Sequence, residues 1–314
     1  MRVLVWESEP SLLEPLSDLL ADVDVTVEEG PPPWTGEDVV GLVAWGATVG
    51  EDELARLPNL RIVVTPSVGY DHIDVEAARR RGVWACNVPD YCVDEMADSA
   101  LALLLALLRG VVLFDRNVRE GGWDYEAAGP LRRVGDIRLG VVGFGRIGRA
   151  LAARARALGV EVWAADPVVP AEEIAAAGAR PAPLDELLAA CEAVSLHAPL
   201  SVSTEGLLGA RELALMPRGA VLVNTARAEL VDQAALVAAL TEGRLAAAAI
   251  DVLPVEPPTV ESPVPQAPGL VVTPHAAWYS PAAEEDVLRR TALAVRAALE
   301  GRTPDGALAP PAPP

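Results

Sequence analysis

The sequence has 314 residues, a formal charge of −20 at pH 7 and a mean hydropathy of +0.27. This length allows two domains of ordinary size, and a hydrophobic fraction of 51% argues against a disordered chain. The negative charge disfavours nucleic acid and anionic membranes as partners, so we expect neither. All 25 basic residues are arginines, which excludes lysine Schiff-base chemistry and a Walker lysine.

The cysteines and the N-terminus indicate the compartment. Cys86, Cys92 and Cys191 are scattered and odd in number, which is typical of reduced thiols and not of a disulfide framework or a zinc site. The first residues lack the apolar core and cleavage site of a secretory signal. The most apolar segment, residues 99–108, is too short to span a bilayer. We therefore expect a cytoplasmic protein without a metal site.

The first ninety or so residues alternate between short runs rich in valine and isoleucine and helix-like segments. This alternation predicts a parallel α/β sheet. The predicted strands are residues 2–6, 23–27, 39–45, 60–65 and 83–88. The predicted helices are residues 11–20, 52–57 and 75–81.

Residues 93–119 have a long helical pattern with an apolar interior and a capping-like Asp94. A helix that is apolar on most faces must be buried against more than its own domain. We expect this helix to connect two domains or to meet a second subunit. A polar, glycine-rich loop follows at residues 120–136.

Residues 137–167 carry the most informative pattern. An apolar run turns through Gly143, Gly145 and Gly148 into an alanine-rich helix, and a second apolar run ends at Asp166. Such glycines permit a tight turn, the approach of a pyrophosphate and close packing of helix on strand, while the helix N-terminus favours the phosphates. Asp166 is placed to accept hydrogen bonds from the adenosine ribose and to repel a 2′-phosphate. The segment predicts a Rossmann unit that prefers NAD to NADP.

The alternation continues to the C-terminus. With the two strands of the glycine unit, the later strands make six, which matches a complete doubly wound sheet. We expect residues 254–268 to form a surface loop, helix 281–299 to pack back on the N-terminal domain, and the tail from Pro304 to be disordered. The remaining predicted strands are residues 193–197, 220–224, 246–251 and 270–273, and the remaining helices are residues 171–177, 184–190, 210–215 and 233–242.

Three chemically active residues, Arg227, Glu256 and His275, follow three of these strands. Ligands of an open α/β sheet bind outside the carboxyl ends of its strands, so we expect the three side chains at one edge. Reduction of a keto acid needs a cation for the carboxylate and carbonyl, a proton donor and a hydride from a cofactor. Arginine offers a planar fork of donors, histidine exchanges protons near neutral pH, and a glutamate can hold the ring in its protonated form. Each residue alone fits a structural role equally well, and only the shared edge beside the nucleotide motif favours catalysis.

Six segments in order resemble the D-specific 2-hydroxyacid dehydrogenase family. They are SVGYDHID (67–74), CNVP (86–89), the glycine motif, VNTAR (223–227), DVLPVEPP (251–258) and TPHAAW (273–278). VDEMADSA (93–100) and TPHAAWYS (273–280) look closest to the C-terminal-binding-protein branch. The resemblance implies a Rossmann NAD-binding domain, residues 97–278, and a flavodoxin-like parallel α/β substrate domain, residues 1–96 with 279–314.

The resemblance also implies roles for individual residues. Arg227 would bind and polarise the substrate, His275 would be the acid and base, and Glu256 would pair with it. Backbone N–H groups around Val68 and Gly69 would bind the substrate carboxylate, and Trp278 would line the pocket. The family is typically dimeric through the nucleotide domain, so a homodimer is implied.

For the cofactor NAD, the resemblance implies Gly143, Gly145 and Gly148 in the phosphate turn. It places Arg146 and Ile147 at the pyrophosphate and Asp166 at the ribose. The residues implied around the adenine and the nicotinamide are His197, Ala198, Pro199 and Thr204 on the adenine side, Thr225 and Ala226 near the nicotinamide, and Asp251 at its carboxamide.

Two positions depart from the family pattern. Thr65 and Pro66 stand where many relatives carry an arginine, so a second anion contact is expected to be lost. Ala228 replaces a glycine after Arg227, which is tolerable if its φ is negative.

Two other functions stay open at this point. The chain is also compatible with a dimeric, NADH-sensing, corepressor-like binding protein with weak or no turnover. The same fold acting on a small inorganic or one-carbon anion is the other possibility, because the bulky Trp278 would make a very small pocket.

Overall fold

A computed structural model describes residues 1–6, 13–259, 262 and 264–309. The chain divides into two compact units, Met1–Tyr91 with Ser280–Pro314 and Cys92–Tyr279, which we call the first and the second unit. Its regular elements in chain order are β1 (Arg2–Trp6), α1 (Leu13–Leu19), β2 (Thr26–Glu29), β3 (Val39–Ala44), α2 (Glu51–Ala55), β4 (Ile62–Val64), α3 (Val75–Arg80), β5 (Trp84–Cys86), α4 (Val93–Leu108), α5 (Val111–Arg119), β6 (Arg138–Val142), α6 (Arg146–Ala157), β7 (Glu161–Ala165), α7 (Ala171–Ala176), β8 (Arg180–Pro181), α8 (Leu184–Ala190), β9 (Ala193–Leu196), α9 (Ala210–Leu215), β10 (Ala220–Asn224), α10 (Gln233–Thr241), β11 (Leu245–Ile250), β12 (Leu270–Val272), α11 (Pro281–Leu299) and β13 (Ala307–Ala309).

The first unit is built on a six-stranded sheet with the order β13-β5-β4-β3-β1-β2. The strands β1 to β5 are parallel and follow the flavodoxin-like order, as predicted. Every residue of β3 is buried, which is typical of a parallel sheet covered on both faces. The fold class predicted from the sequence is thus confirmed for this unit.

Helix α11 returns the chain to the first unit, as predicted. It starts with Ser280 as N-cap, whose hydroxyl accepts a hydrogen bond from the Ala283 amide at 3.0 Å, followed by Pro281 in the first turn. Leu288 and Val295 join one apolar cluster with residues of β1, α1 and β4. Burial of this helix face contributes to the core of the first unit.

The prediction of a disordered tail from Pro304 is wrong for residues 304–309. Pro304 is buried, and β13 pairs antiparallel with β5, with Ala307 opposite Cys86. The edge of β5 presents unpaired backbone groups that a short extended segment can satisfy, whatever its proline and alanine content. Residues 310–314 lie outside the described residues.

The second unit is built on a seven-stranded parallel sheet with the order β12-β11-β10-β9-β6-β7-β8. This is the doubly wound arrangement, in which the strand order reverses between the neighbours β6 and β9. The sequence predicted six of these strands. The seventh, β8, has two residues and is too short to produce a periodic pattern.

The prediction of one continuous helix over residues 93–119 is wrong, because the structure has two helices in this range. Gly110 adopts a left-handed conformation with φ 63° between α4 and α5, and the helices are bent by 59°. The N-cap of α4 is Cys92 and not Asp94. The Asp94 carboxylate instead forms an ion pair with Arg154 at 2.7 Å. Among the described helices no single one is long and apolar enough to cross a membrane, and only this bent pair matches by length and composition.

The predicted surface loop 254–268 is partly buried. A short 3-10 turn, Val264–Gln266, places Val264 in the core of the second unit, and Ala267 is buried beside it. Residues 260, 261 and 263 of this loop, and residues 11 and 12 of the first predicted helix, lie outside the described residues.

Candidate active site

Three neighbouring strands of the second unit, β10, β11 and β12, end at the same edge of the sheet. Arg227 lies just beyond β10, Asp251 follows β11 directly, and His275 lies just beyond β12. Because parallel strands point their carboxyl ends in one direction, these residues lie on the ligand-binding edge of the fold.

A carboxylate and an imidazole are paired in this region. Glu256 Oε2 lies 2.7 Å from His275 Nδ1. The other carboxylate oxygen, Oε1, accepts a hydrogen bond from the Leu253 amide at 2.7 Å. The carboxylate is therefore fixed on both sides, which favours the proton on Nδ1 and leaves Nε2 as the nitrogen that exchanges a proton with a ligand. The side chain of Glu256 is 36% exposed and that of His275 is 47% exposed, so solvent and ligands can reach the pair.

The backbone at His275 is strained and tightly held. Its φ of 52° is the only positive value among the described non-glycine residues. The His275 amide donates to the Asp251 carbonyl at 2.8 Å, and the Asp251 carboxylate accepts from the Ala276 amide at 3.0 Å and the Ala277 amide at 2.9 Å. The Thr273 hydroxyl donates to the same carboxylate. Such strain persists where the surroundings over-determine the backbone, and here it fixes the position of the imidazole.

Asp251 is thus an internal anchor of the loop that carries His275. Asp251 is 2% exposed, and its carboxylate oxygens accept three hydrogen bonds from that loop. Contact with the nicotinamide carboxamide stays a prediction. The sequence did not reveal Thr273 as a functional neighbour, because its hydroxyl finds Asp251 only after β11 and β12 have paired.

Asn224 organises the turn that carries Arg227. Asn224 Oδ1 accepts a hydrogen bond from the Ala226 amide at 3.0 Å, and Nδ2 donates to the Arg227 carbonyl at 2.8 Å. Arg227 is half-buried, and one guanidinium nitrogen donates to the Ala226 carbonyl at 2.9 Å. An asparagine at the end of a strand is a recognisable sequence signal for such a turn, and Asn224 could have been identified from it. Ala228 begins a 3-10 turn without a positive φ, so the replaced glycine causes no strain.

The three glycines of the motif divide into two kinds. Gly143 has a φ of 89°, and a Cβ there would lie 2.5 Å from the Ala198 amide nitrogen. A Cβ on Gly148 would lie 2.2 Å from the Gly143 carbonyl oxygen. A Cβ on Gly145 would meet none of the described atoms within 4 Å. Gly143 and Gly148 are required by the packing of the protein itself, whereas the open space at Gly145 fits the approach of a pyrophosphate.

Helix α6 begins at this open position. Gly145 is its N-cap, and no described side chain caps the amides of the first turn. These amides and the helix dipole make a suitable site for a phosphate. Arg146 is exposed and Ile147 half-buried in that first turn, where the sequence predicted the pyrophosphate.

Asp166 ties the glycine turn to the end of β7. Its carboxylate accepts hydrogen bonds from the amides of Phe144 at 2.7 Å, Val168 at 2.8 Å and Val169 at 3.0 Å. Burial raises the pKa of Asp166, but these amides and the nearby Arg149 together lower it below the ordinary value. The carboxylate is therefore charged at neutral pH, as its predicted role at the ribose requires.

The loop after β9 lies against the glycine turn through Ala198. His197 Nε2 lies 2.8 Å from the buried Ser195 hydroxyl, and burial lowers the pKa of His197 to about 4, so the ring is neutral at pH 7. Thr204 Oγ1 donates to the Pro199 carbonyl at 2.6 Å and closes the following turn. Contact of these residues with an adenine stays a prediction.

Thr225 provides a second observation that fits the cofactor. Its side chain is buried, and its hydroxyl has no hydrogen-bond partner among the residues that the structure describes. A buried polar group without a partner is costly unless a ligand supplies one. Thr225 and the half-buried Ala226 lie at the end of β10, where the sequence predicted the nicotinamide. With the open Gly145 position, the residues present fit NAD.

The predicted carboxylate-binding loop belongs to the first unit. The Val68 carbonyl accepts a hydrogen bond from Asn87 Nδ2 at 2.7 Å, and the Gly69 carbonyl accepts one from the Ser67 hydroxyl at 2.7 Å. Thr65 is fully buried, and its hydroxyl lies 2.7 Å from that of Ser67. Thr65 therefore supports the loop from within.

Trp278 lies in the second unit and is half-buried. Its ring packs edge to face against Tyr279, with the ring centroids 5.6 Å apart. Its place in a substrate pocket stays a prediction.

Comparison with known proteins gives a family. Residues 101–277 match the NAD-binding domain of the D-isomer specific 2-hydroxyacid dehydrogenases. A glyoxylate reductase of Korarchaeum cryptofilum is 42% identical over 227 residues, which cover 71% of this chain and 68% of the relative. A D-3-phosphoglycerate dehydrogenase of Mycobacterium bovis is 40% identical over 260 residues, or 83% of this chain, and the match spans only 49% of that longer protein.

A solved structure agrees with these relatives. The NADPH-dependent glyoxylate/hydroxypyruvate reductase of Sinorhizobium meliloti, determined with NADP and malonate, superposes with a TM-score of 0.86 at 28% identity, covering 100% of this chain and 98% of the other. The chain therefore belongs to the D-isomer-specific 2-hydroxyacid dehydrogenase family, the NAD(P)-linked oxidoreductases that transfer a hydride between the cofactor and a 2-oxo or 2-hydroxy acid.

Proposed function

We propose that this enzyme reduces a small 2-oxo acid to its D-2-hydroxy acid with NADH, using Arg227, Glu256 and His275. The observation that carries the proposal is the 2.7 Å pair between Glu256 and His275 in the unit that also holds the glycine turn and Arg227. When bound, NADH supplies the hydride. The chain supplies a cation, a proton donor and an anchor for that donor.

Each side chain has one task in this proposal. The Arg227 guanidinium holds the substrate carboxylate and polarises the carbonyl, because its planar donors match both oxygens. His275 Nε2 gives its proton to the oxygen that develops negative charge. Glu256 stabilises the imidazolium and keeps Nδ1 turned away from the substrate. In the direction of oxidation, His275 takes the proton back.

We further propose that the N–H groups of the loop at Val68 and Gly69 bind the substrate carboxylate and that Trp278 borders the pocket. Thr65 supplies no cation where many relatives carry arginine, so a substrate with a single carboxylate is favoured. The glyoxylate reductase among the relatives supports a small acid. We therefore expect glyoxylate or hydroxypyruvate to be preferred to larger 2-oxo acids.

The test is NADH oxidation, followed by the absorbance of NADH, with glyoxylate, pyruvate, hydroxypyruvate, phenylpyruvate and 4-methylthio-2-oxobutyrate. We expect the highest kcat/KM with glyoxylate or hydroxypyruvate, and a lower value with NADPH than with NADH because Asp166 is charged. A protein that binds NADH but oxidises it with none of these acids would contradict the proposal. That result would instead favour the NADH-sensing binding protein.

The named relatives are reductases and dehydrogenases, so they do not favour a protein without turnover. Membership of the C-terminal-binding-protein branch, suggested by residues 93–100 and 273–280, stays a prediction. A cytoplasmic location and the absence of nucleic-acid or membrane partners likewise stay predictions that rest on composition.

We also propose a homodimer formed through the second unit. Helix α5, which is described in full, buries none of its residues, and it exposes Val111, Leu113 and Val118. The loop beyond it exposes Trp123 by 91% and Tyr125 by 85%. An apolar surface of this kind is typical of an interface, and a second copy of the chain would cover it.

The oligomer is tested by light scattering after gel filtration. We expect a dimer for the wild type and a monomer, or a strongly weakened dimer, for Leu113→Glu. Val202→Glu is the matched control, because Val202 is 99% exposed and lies away from α5 in the sequence. A monomeric wild type, or a Leu113→Glu dimer of unchanged affinity, would contradict the proposal.

A further inference from the structure

Asn87 is a nearly buried asparagine that bonds in two directions within the first unit. Its side-chain Nδ2 donates to the Val68 carbonyl at 2.7 Å. Its backbone amide donates to the Gly306 carbonyl at 3.1 Å. Asn87 follows β5 directly and therefore links the loop at Val68 to the C-terminal segment of the chain.

The Val68 carbonyl shares a peptide plane with the Gly69 amide. A trans peptide is planar, so its C=O and N–H point in opposite directions and move together. A donor held on the Val68 oxygen therefore fixes the direction in which the Gly69 N–H points. Hydrogen bonding at the oxygen also polarises the peptide, which makes that N–H a stronger donor.

The C-terminal segment holds Asn87 from the other side. Strand β13 pairs with β5 immediately before Asn87. Gly306, with a φ of 76°, lies so close that a Cβ would be 2.0 Å from the Asn87 carbonyl oxygen. This backbone contact leaves no room for a side chain, so Gly306 sets how closely the C-terminal segment approaches Asn87.

We infer that Asn87, buttressed by Gly306, is a positioning residue that aims the Gly69 amide at the substrate carboxylate. The inference rests on the proposed function of the Val68 and Gly69 loop. It gives residues 304–309 a part in substrate recognition, although Gly306 acts only through Asn87.

The direct test replaces the side-chain donor. Asn87→Asp keeps the size of the side chain but puts an oxygen against the Val68 carbonyl, and Asn87→Ala removes the donor. We expect the KM for the preferred 2-oxo acid and the inhibition constant of oxamate, an unreactive carboxylate probe, to rise together by about tenfold or more. The dissociation constant of NADH, measured by fluorescence, should stay within about twofold, since Asn87 lies in the first unit.

Gly306→Ala tests the buttress without changing Asn87. We expect it to raise the same two constants, because the new methyl group must displace the Asn87 backbone. Gly301→Ala is the matched control: its φ is 73°, similar to that of Gly306, but a Cβ there meets none of the described atoms within 4 Å. Gly301→Ala should carry the same backbone strain and leave both constants unchanged.

The outcomes distinguish failure of the proposed function from failure of the role inferred for Asn87. A wild type that neither reduces a 2-oxo acid nor binds oxamate overturns the proposed function and this inference with it. An active wild type whose Asn87→Asp and Asn87→Ala variants fold and keep their KM and oxamate affinity overturns the inference alone. Equal effects of Gly306→Ala and Gly301→Ala would show that strain, and not contact with Asn87, is responsible.

Discussion

Glu256 holds His275 through a 2.7 Å contact between Oε2 and Nδ1, while its Oε1 accepts the Leu253 amide. The carboxylate cannot turn without losing one of these bonds. The imidazole is held in turn by a backbone with φ 52° that is bonded to Asp251. Side chain and main chain thus fix the same ring, which is what an acid and base of defined direction requires.

Glu256→Gln tests the charge of this pair. The amide oxygen can still accept from Nδ1, but the amide nitrogen cannot accept from the Leu253 N–H, and stabilisation of the imidazolium by a negative charge is lost. We expect kcat for keto-acid reduction at neutral pH to fall by about 10- to 100-fold. The measurement is steady-state kcat at saturating NADH and 2-oxo acid. Glu205→Gln, at an exposed position, serves as control. An unchanged kcat in Glu256→Gln would refute the role of Glu256.

Arg227→Ala tests the cation. We expect kcat/KM for the 2-oxo acid to fall by about a thousandfold or more, because both binding and polarisation of the carbonyl are lost. The affinity for NADH, measured by fluorescence titration, should change little. Arg218→Ala is a suitable control, since Arg218 precedes β10 at the opposite edge and donates to the Glu242 carbonyl. Activity that survives Arg227→Ala would show that the assigned role is wrong.

Gly145→Ala tests the cofactor turn. A methyl group at this position meets none of the described protein atoms within 4 Å, and the φ of −74° suits alanine, so the melting temperature should not fall. We expect the dissociation constant of NADH to rise by about tenfold or more, because the methyl group occupies the space for the pyrophosphate. Gly148→Ala provides the contrast and should lower stability, since its Cβ would lie 2.2 Å from a backbone oxygen. Unaltered NADH binding in Gly145→Ala would place the phosphates elsewhere.

His197 gives the stability of the protein a pH dependence. Burial lowers its pKa from 6.5 to about 4, so the unfolded chain takes up the proton first as the pH falls. The resulting stabilisation is present above about pH 6.5 and is lost between about pH 6.5 and 4. From pH 7 to 5 the loss is on the order of 2 kcal/mol.

Urea unfolding of the wild type and His197→Gln at both pH values measures this contribution. Glutamine can still bond to the Ser195 hydroxyl but takes up no proton in this range. The free energy of unfolding of the variant should therefore fall less between pH 7 and 5 than that of the wild type. Equal losses would contradict the burial of a neutral imidazole.

Much of the fold followed from periodicity. Continuous apolar runs such as β3 and the glycine turn before α6 predicted buried parallel strands and a doubly wound sheet, and the structure has both. The errors concern single residues or short segments. Gly110 ends α4 by adopting φ 63°, which a helical pattern does not reveal, and β13 forms because β5 offers an edge, which composition does not reveal.

The sequence predicted part of the candidate site as well. Arg227, Glu256 and His275 follow strand ends, and the rule for open α/β sheets brings strand ends to one edge. Asn87, Asn224 and Thr273 were missed because each acts by a hydrogen bond to backbone or carboxylate atoms whose positions depend on the folded loops. Arg227, Glu256 and His275 can thus be found from residue type and order, whereas the hydrogen-bond partners of Asn87, Asn224 and Thr273 are recognised only from their contacts in the folded loops.

The most direct test of the central claim is single-turnover oxidation of bound NADH by the preferred 2-oxo acid in wild type and His275→Gln. The account predicts a rate that falls by about 10²- to 10⁴-fold, which is the range for loss of a general acid, with the NADH dissociation constant unchanged. A His275→Gln rate within about threefold of the wild type, with chemistry rate-limiting in both, would contradict it.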